Sequence, residues 1–311
     1  MLIVTFLGTG AACPTVDRNV SSLAVAREGE TLLFDCGEGT QRQMMRYGVG
    51  FSFKEIFFTH YHSDHLLGFI GLFRTMGLMD RSEGVTLYGP RGAQRILGHA
   101  LGVGIEKNKF PVEIVEVKPG DRLRRAGYEI VPFETEHRAD TVGYALVEEP
   151  RLGRFDPDRA RALGVPEGPL WGKLHRGMAV TLEDGRVVTA ETLVGRPRPG
   201  RKLVYSGDTR PCRSVLEAAR GADLLIHEAT FGADERERAL ETGHSTAGEA
   251  AELAREAGAL RLVLTHISAR YSREAPELFT EASLIFPSVT IARDGLAIEV
   301  PYRDGEPAAQ A

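Results

Sequence analysis

Thr59-His60-Tyr61-His62-Ser63-Asp64-His65 stands directly after the apolar run Ile56-Phe57-Phe58 and before a helical pattern. Side chains two apart in an extended segment point the same way, so His60 and His62 can grip one ion. Asp64 and His65 fall where the chain turns into a helix expected over 65–76, placed to reach a second ion close by. An N-terminal helix cap would explain Asp64 alone. It leaves three imidazoles crowded into six residues, a costly arrangement as packing because His and Asp are seldom buried without partners.

A pair of ions needs more donors than this stretch holds, and later strand ends offer them. His137 closes the run 128–136, Asp208 follows Leu203-Val204-Tyr205-Ser206-Gly207, and His266 follows Leu262-Val263-Leu264-Thr265. Each stands where a layered sheet presents its active-site loops. Strand-like runs at 2–7, 22–26, 31–35, 56–59 and 85–88 alternate with helical spacing at 40–46, 65–76 and 92–101. The second half repeats the style, with strands at 202–206, 223–227, 261–265 and 289–298 and helices at 212–220, 245–257 and 276–285. This order predicts an α/β fold, an αββα sandwich of two mixed sheets covered by helices.

One segment, 150–202, breaks the alternation. Gly164-Val165-Pro166-Glu167-Gly168-Pro169 and Gly195-Arg196-Pro197-Arg198-Pro199-Gly200 flank a short helical stretch and a hairpin expected around Glu183-Asp184-Gly185. Such punctuation predicts an arm inserted into one domain spanning 1–311. The chain of 311 residues carries 38 Lys and Arg against 43 Asp and Glu, a net charge of -5. The segment 151–202 nevertheless holds 11 basic and 6 acidic residues, so an acidic body carries one basic stretch. That is the electrostatic footprint of a polyanion binder.

Composition narrows the remaining possibilities. With 42% hydrophobic residues the chain can build a core, and no apolar run approaches the ~20 residues of a bilayer span. Cys13, Cys36 and Cys212 are odd in number and far apart, so they form neither a C-x-x-C pair nor a disulfide framework. The N-terminus lacks a basic leader and reads as a first strand. These features predict a cytoplasmic protein without a membrane anchor.

The sequence resembles the metallo-β-lactamase superfamily, and within it the ribonuclease Z family of tRNA 3′-processing endonucleases. The likeness is carried by Phe6-Leu7-Gly8-Thr9-Gly10, Phe34-Asp35-Cys36-Gly37-Glu38-Gly39-Thr40-Gln41 and the H-x-H-x-D-H cluster, and continues in Ser206-Gly207-Asp208-Thr209-Arg210. His227-Glu228-Ala229-Thr230, His244-Ser245-Thr246 and Thr265-His266-Ile267-Ser268-Ala269-Arg270-Tyr271 complete it. The cluster alone specifies only the superfamily; the later elements and the Gly/Pro-rich arm narrow it.

The resemblance implies two Zn²⁺ per subunit, one on His60, His62 and His137, the other on Asp64, His65 and His266, with Asp208 bridging. The same donors also admit Mn²⁺ or Fe²⁺. It implies Asp64 as acceptor of the water proton, His244 as proton donor to the departing ribose 3′ oxygen, and Glu228 as the group that orients His244. The products would be a 3′-hydroxyl on the tRNA and a 5′-phosphate on the trailer. If His244 were incidental, Ser245 would simply cap the following helix. His99 and His175 are expected outside the site, and His227 is expected to shape it by hydrogen bonding.

The resemblance further implies that the arm holds precursor tRNA across a homodimer. Lys173, Arg176, Arg196, Arg198, Arg201 and Lys202 are the expected phosphate contacts. One departure stands out: relatives carry a P-x-K-x-R-N loop, and here Pro14-Thr15-Val16-Asp17-Arg18-Asn19 has valine for lysine. The competing expectations are a two-metal hydrolase of a small phosphodiester or aryl sulfate, and a catalytically dead tRNA-binding protein.

Overall fold

Six strands build the first sheet through the opening third of the chain: β1 (Leu2–Gly8), β2 (Ser22–Arg27), β3 (Glu30–Phe34), β4 (Glu55–Phe57), β5 (Val85–Gly89) and β6 (Val112–Glu116). Helices α1 (Thr40–Arg46), α2 (Ser63–Leu66), α3 (Gly68–Leu78) and α4 (Ala93–Leu101) lie between them in sequence. Then follow β7 (Leu123–Arg125), β8 (Tyr128–Glu134) and β9 (Val142–Glu148), and α5 (Pro157–Ala162), α6 (Pro169–His175), β10 (Val180–Thr181) and β11 (Val187–Val188). The last third contains β12 (Lys202–Tyr205), α7 (Arg213–Ala219), β13 (Leu224–Glu228), α8 (Arg236–Thr242) and α9 (Ala247–Glu256). It ends with β14 (Leu262–Thr265), α10 (Pro276–Ile285), β15 (Val289–Ile291) and β16 (Ala297–Glu299). This computed structural model describes residues 1–105, 107–271 and 274–303.

The chain divides into two compact units, Met1–Val147 with Lys202–Pro301, and Glu148–Arg201 with Tyr302 and Arg303. In the first unit the sheets run β16-β1-β2-β3-β4-β5-β6 and β15-β14-β13-β12-β9-β8-β7. One buried cluster joins their inner faces, with Phe6, Phe34 and Phe57 from one sheet meeting Tyr144, Leu203 and Tyr205 from the other. The outer face of the first sheet packs under Phe69, Leu72 and Phe73 of α3 and Leu97 of α4. The second is covered by Val215 of α7, Ala250 and Leu253 of α9 and Leu278 of α10. Strands β12, β13 and β14 pair in parallel and are apolar on both faces, as a doubly covered sheet requires. The structure thus has the expected αββα sandwich.

Two expected elements are divided. The strand expected over 289–298 is two strands in different sheets: β15 pairs with β14 and β16 with β1. The turn between them is Asp294-Gly295, with Gly295 at φ 83°, a conformation glycine adopts without penalty. The helix expected over 65–76 begins at Ser63 and breaks after Leu66. Gly68 there lies so near Gly37 that a Cβ would meet its carbonyl oxygen at 1.9 Å. Strands β6, β7 and β9 and helix α8 were absent from the sequence-based pattern.

The second unit has its own core, in which Ala160, Val165, Leu174, Val180, Leu182, Val188 and Leu193 are buried with Phe155 and Trp171 packed against them. The hairpin β10–β11 forms around Glu183-Asp184-Gly185 as expected. Arg201 donates to both carboxylate oxygens of Glu148 at 2.8 and 2.7 Å, a buried ion pair. The Arg151 and Arg201 guanidinium carbons lie 3.5 and 4.0 Å from the Tyr302 ring centroid. Among the described residues no helix is long and apolar enough to cross a membrane.

Candidate metal centre

The residues expected to bind metal converge at the ends of strands. His60 and His62 follow β4, Asp64 and His65 occupy the first turn of α2, and His137, Asp208 and His266 follow β8, β12 and β14. One ligand atom from each of His60, His62, His137 and Asp208 lies within 4.8 Å of the others, and Asp64, His65 and His266 form a second such group. Asp208 stands between them: its Oδ2 is 3.3 Å from Nε2 of both His65 and His266 and 3.7 Å from Nε2 of His60. Burial opposes its charge, but His266, His65 and His60 outweigh that and hold the carboxyl well below the usual carboxylate range.

The outer nitrogen of most of these rings is tied down. His65 Nδ1 lies 2.8 Å from Asp35 Oδ2, His137 Nδ1 2.8 Å from the Gly243 carbonyl, and His266 Nδ1 2.8 Å from Thr230 Oγ1. His60 Nδ1 lies 3.0 Å from Thr59 Oγ1, which in turn donates to Asp35. These oxygens take the proton on Nδ1, so that in the neutral ring Nε2 is left as a lone pair facing the cluster. The facing nitrogens are then close: His65 and His266 Nε2 are 3.4 Å apart, and His60 Nε2 is 2.9 Å from His62 Nδ1. Asp208 Oδ1 is buried with no hydrogen-bond partner among the described residues. Converging lone pairs and an orphaned carboxylate oxygen are the donor set a divalent cation satisfies.

Asp35, within the stretch Phe34 to Gln41, has a role that its sequence pattern does not disclose. Buried at φ 54°, it accepts from Thr59 N–H, Thr59 Oγ1, His65 Nδ1 and the Tyr205 hydroxyl. It therefore orients two of the imidazoles at once. Thr230 and the Gly243 carbonyl were missed for the same function, and the local signal for Thr230 is its place in His227-Glu228-Ala229-Thr230.

His244 lies beside the cluster, its ring 4.9 Å from that of His137 and 5.2 Å from that of His266. A third grouping of possible ligands combines it with Asp208 and His266, but its Nδ1 is committed to Glu228 Oε1 at 2.8 Å. Burial disfavours a charged His244, yet the Glu228 carboxylate outweighs this and raises its pKa to about 9. Glu228 itself is fixed by the N–H groups of Thr209, Thr230 and Ser245 and by the Thr230 hydroxyl. The following helix is capped by Thr246 in a capping box with Glu249, not by Ser245, whose hydroxyl donates to the Thr209 carbonyl. His227 bonds only the Glu228 carbonyl among the described contacts, and no bond joins it to the cluster.

The basic residues expected at phosphates separate into two sets. Lys173, Arg176 and Arg196 are exposed in the second unit, and Arg198 is partly exposed with its Nε on the Leu152 carbonyl. Arg201 is buried against Glu148 and cannot reach a ligand without breaking that pair, a correction to its expected role. Lys202 belongs to β12 of the first unit, and its ammonium donates to the Arg220 carbonyl at 3.0 Å. His99 is exposed on α4, and His175 bonds the Gly153 carbonyl.

Residues 2–152 match the family model described as "Anti-Pycsar protein Apyc1", and residues 174–267 match "Beta-lactamase superfamily domain". Together with the paired sheets and the histidine cluster, these define a metallo-β-lactamase-fold protein with a divalent-metal site. Ribonuclease Z of Gemmatimonas aurantiaca is 58% identical over 301 residues, covering 96% of each chain. That of Myxococcus xanthus is 56% identical over 305 residues, 98% of this chain and 99% of its own. The crystal structure of the short form of human tRNase Z superimposes with a TM-score of 0.70 at 28% identity, covering 96% of this chain and 99% of that one. The chain belongs to the ribonuclease Z family.

Proposed function

We propose that the protein is an endoribonuclease that removes the 3′ trailer from precursor tRNA, leaving a 3′-hydroxyl on the tRNA and a 5′-phosphate on the trailer. The observation that carries this reading is the gathering of six donor side chains about Asp208 with the His244–Glu228 pair beside them. His60, His62 and His137 would hold one cation and Asp64, His65 and His266 a second, with Asp208 shared. Two divalent cations there, Zn²⁺ in this reading, would supply Lewis acidity that neutralises phosphodiester charge and makes water a nucleophile near neutral pH. Asp64 takes the proton that the attacking water gives up. His244 donates a proton to the departing ribose 3′ oxygen, and Glu228 keeps the imidazole turned toward it. A homodimer, implied by the family resemblance, is part of the same reading.

Mapping both product ends from precursors with and without an encoded CCA tests it. A 3′-hydroxyl on the tRNA and a 5′-phosphate on the trailer are expected. Cleavage confined to bis-p-nitrophenyl phosphate or an aryl sulfate would overturn the tRNA assignment. The same map reads the cleavage register, which bears on Val16. That side chain is fully exposed on a turn held by Thr15 and Arg18, while Arg18 is buried on Thr9 and the Ala292 carbonyl. The loss of lysine therefore alters the surface of the loop without disturbing its frame.

Exposed cations of the second unit supply the phosphate contacts in this reading. Combined Lys173→Ala, Arg176→Ala and Arg196→Ala should weaken precursor binding while leaving the bound metal content at the parent level. The slope of log affinity against log salt should become shallower by about 2 to 3 for three lost contacts. An unchanged slope would return these residues to a solvated surface.

A further inference from the structure

An open cleft of about 760 Å³ adjoins the metal centre at its His62 edge, lined by Tyr61, His62, Arg91, Arg95, Glu116 and Asp140. Arg91 and Arg95 are exposed, four residues apart where α4 begins, and neither guanidinium has a hydrogen-bond or ion-pair partner among the described residues. Glu116 and Asp140 line the same cleft, but Glu116 accepts from the Gly92 N–H at 2.8 Å and neither acid is ion-paired with either guanidinium among the described residues. Tyr61 is held in place, its hydroxyl donating to the Pro90 carbonyl at 2.7 Å and lying where a Cβ on Gly89 would meet it at 2.4 Å, with ring carbons at 3.2 Å. Bidentate donors and a fixed aromatic ring are the elements that grip single-stranded nucleic acid.

The direction of the substrate strand follows from His244. In the cleavage reading above, on which this inference rests, the tRNA side of the scissile phosphate carries the leaving oxygen and must lie against His244. That ring packs on His137, His266 and Phe231, whereas His62 packs on His60 and His137. The two residues share His137 as a neighbour and differ in the others, His266 and Phe231 for His244 and His60 for His62. A strand whose tRNA side lies at His244 and which continues past His62 would run into the cleft. We propose that this cleft binds the 3′ trailer, with Arg91 and Arg95 on its phosphates and Tyr61 offering a stacking surface.

The test compares precursors carrying a single-nucleotide trailer and one of about eight nucleotides, together with the free 5′-phosphorylated trailer RNA. In the Arg91→Ala, Arg95→Ala double variant, KM for the long-trailer precursor should rise about tenfold more than KM for the short one. The salt slope for binding the free trailer should fall by about 1.4, or about 0.7 for each lost contact. The Arg91→Lys, Arg95→Lys variant keeps the charges and should restore most of the slope. Equal changes in KM on both precursors, or a salt slope that does not move, would overturn the proposal. Trailer binding requires no turnover, so a parent protein that cut no precursor would sink the tRNA-processing reading and leave the oligonucleotide measurement to decide the cleft.

Discussion

Asp208→Ala should strip metal from the protein and reduce precursor cleavage by several orders of magnitude, the largest effect expected of any single substitution. The carboxylate is within 3.3 Å of His65 and His266 and 3.7 Å of His60, so it serves both ligand groups. Alanine would leave the imidazole lone pairs facing one another without the anion that offsets two dications. Removing one partner from a buried charged cluster costs far more than a surface pair would suggest. Elemental analysis and single-turnover cleavage of the same preparation make the check. Two metals per chain with normal turnover would refute the bridging position of Asp208.

His244→Ala should do the reverse, keeping metal while losing about 10²- to 10⁴-fold in turnover, the range of general-acid catalysis. Its imidazole bonds Glu228 rather than standing among the seven donors, which separates proton transfer from metal retention. A precursor with sulfur in place of the bridging 3′ oxygen has a leaving group that needs no proton, and it should recover much of the loss. An equal deficit on both substrates would exclude proton donation. Glu228 is a positioning residue in this scheme, and its five hydrogen-bond donors make alanine there a structural lesion as well.

What the sequence made legible was the part of the site written in short patterns. The spacing of His60, His62, Asp64 and His65 follows from strand and helix periodicity. His137, Asp208 and His266 could be found because each trails an apolar run. Their anchors could not be found in that way. Asp35 acts through a positive φ and four donors that come together only when the sheets face each other. Arg201 looked like one more cation in a basic stretch because charge counting is blind to a carboxylate 53 residues away, and Glu148 consumes it. The run 289–298 read as one strand because apolar residues flank Asp294-Gly295 on both sides, and the turn chemistry of that pair was outvoted by them.

The pairing of β16 with β1 sets an order of events during synthesis. Leu2–Gly8 is made before every other described strand, yet its outer edge is met only when Ala297–Glu299 has been made. Until then its backbone donors and acceptors present an open template to other strands. Asp294 arrives equally late and receives the Thr9 hydroxyl, the Asn19 N–H and the Gln43 amide, so three early segments wait on one carboxylate. A nascent chain of this protein is therefore exposed to edge-to-edge association until Ala297–Glu299 emerges, and a chaperone that shields Leu2–Gly8 would have its greatest effect in that interval.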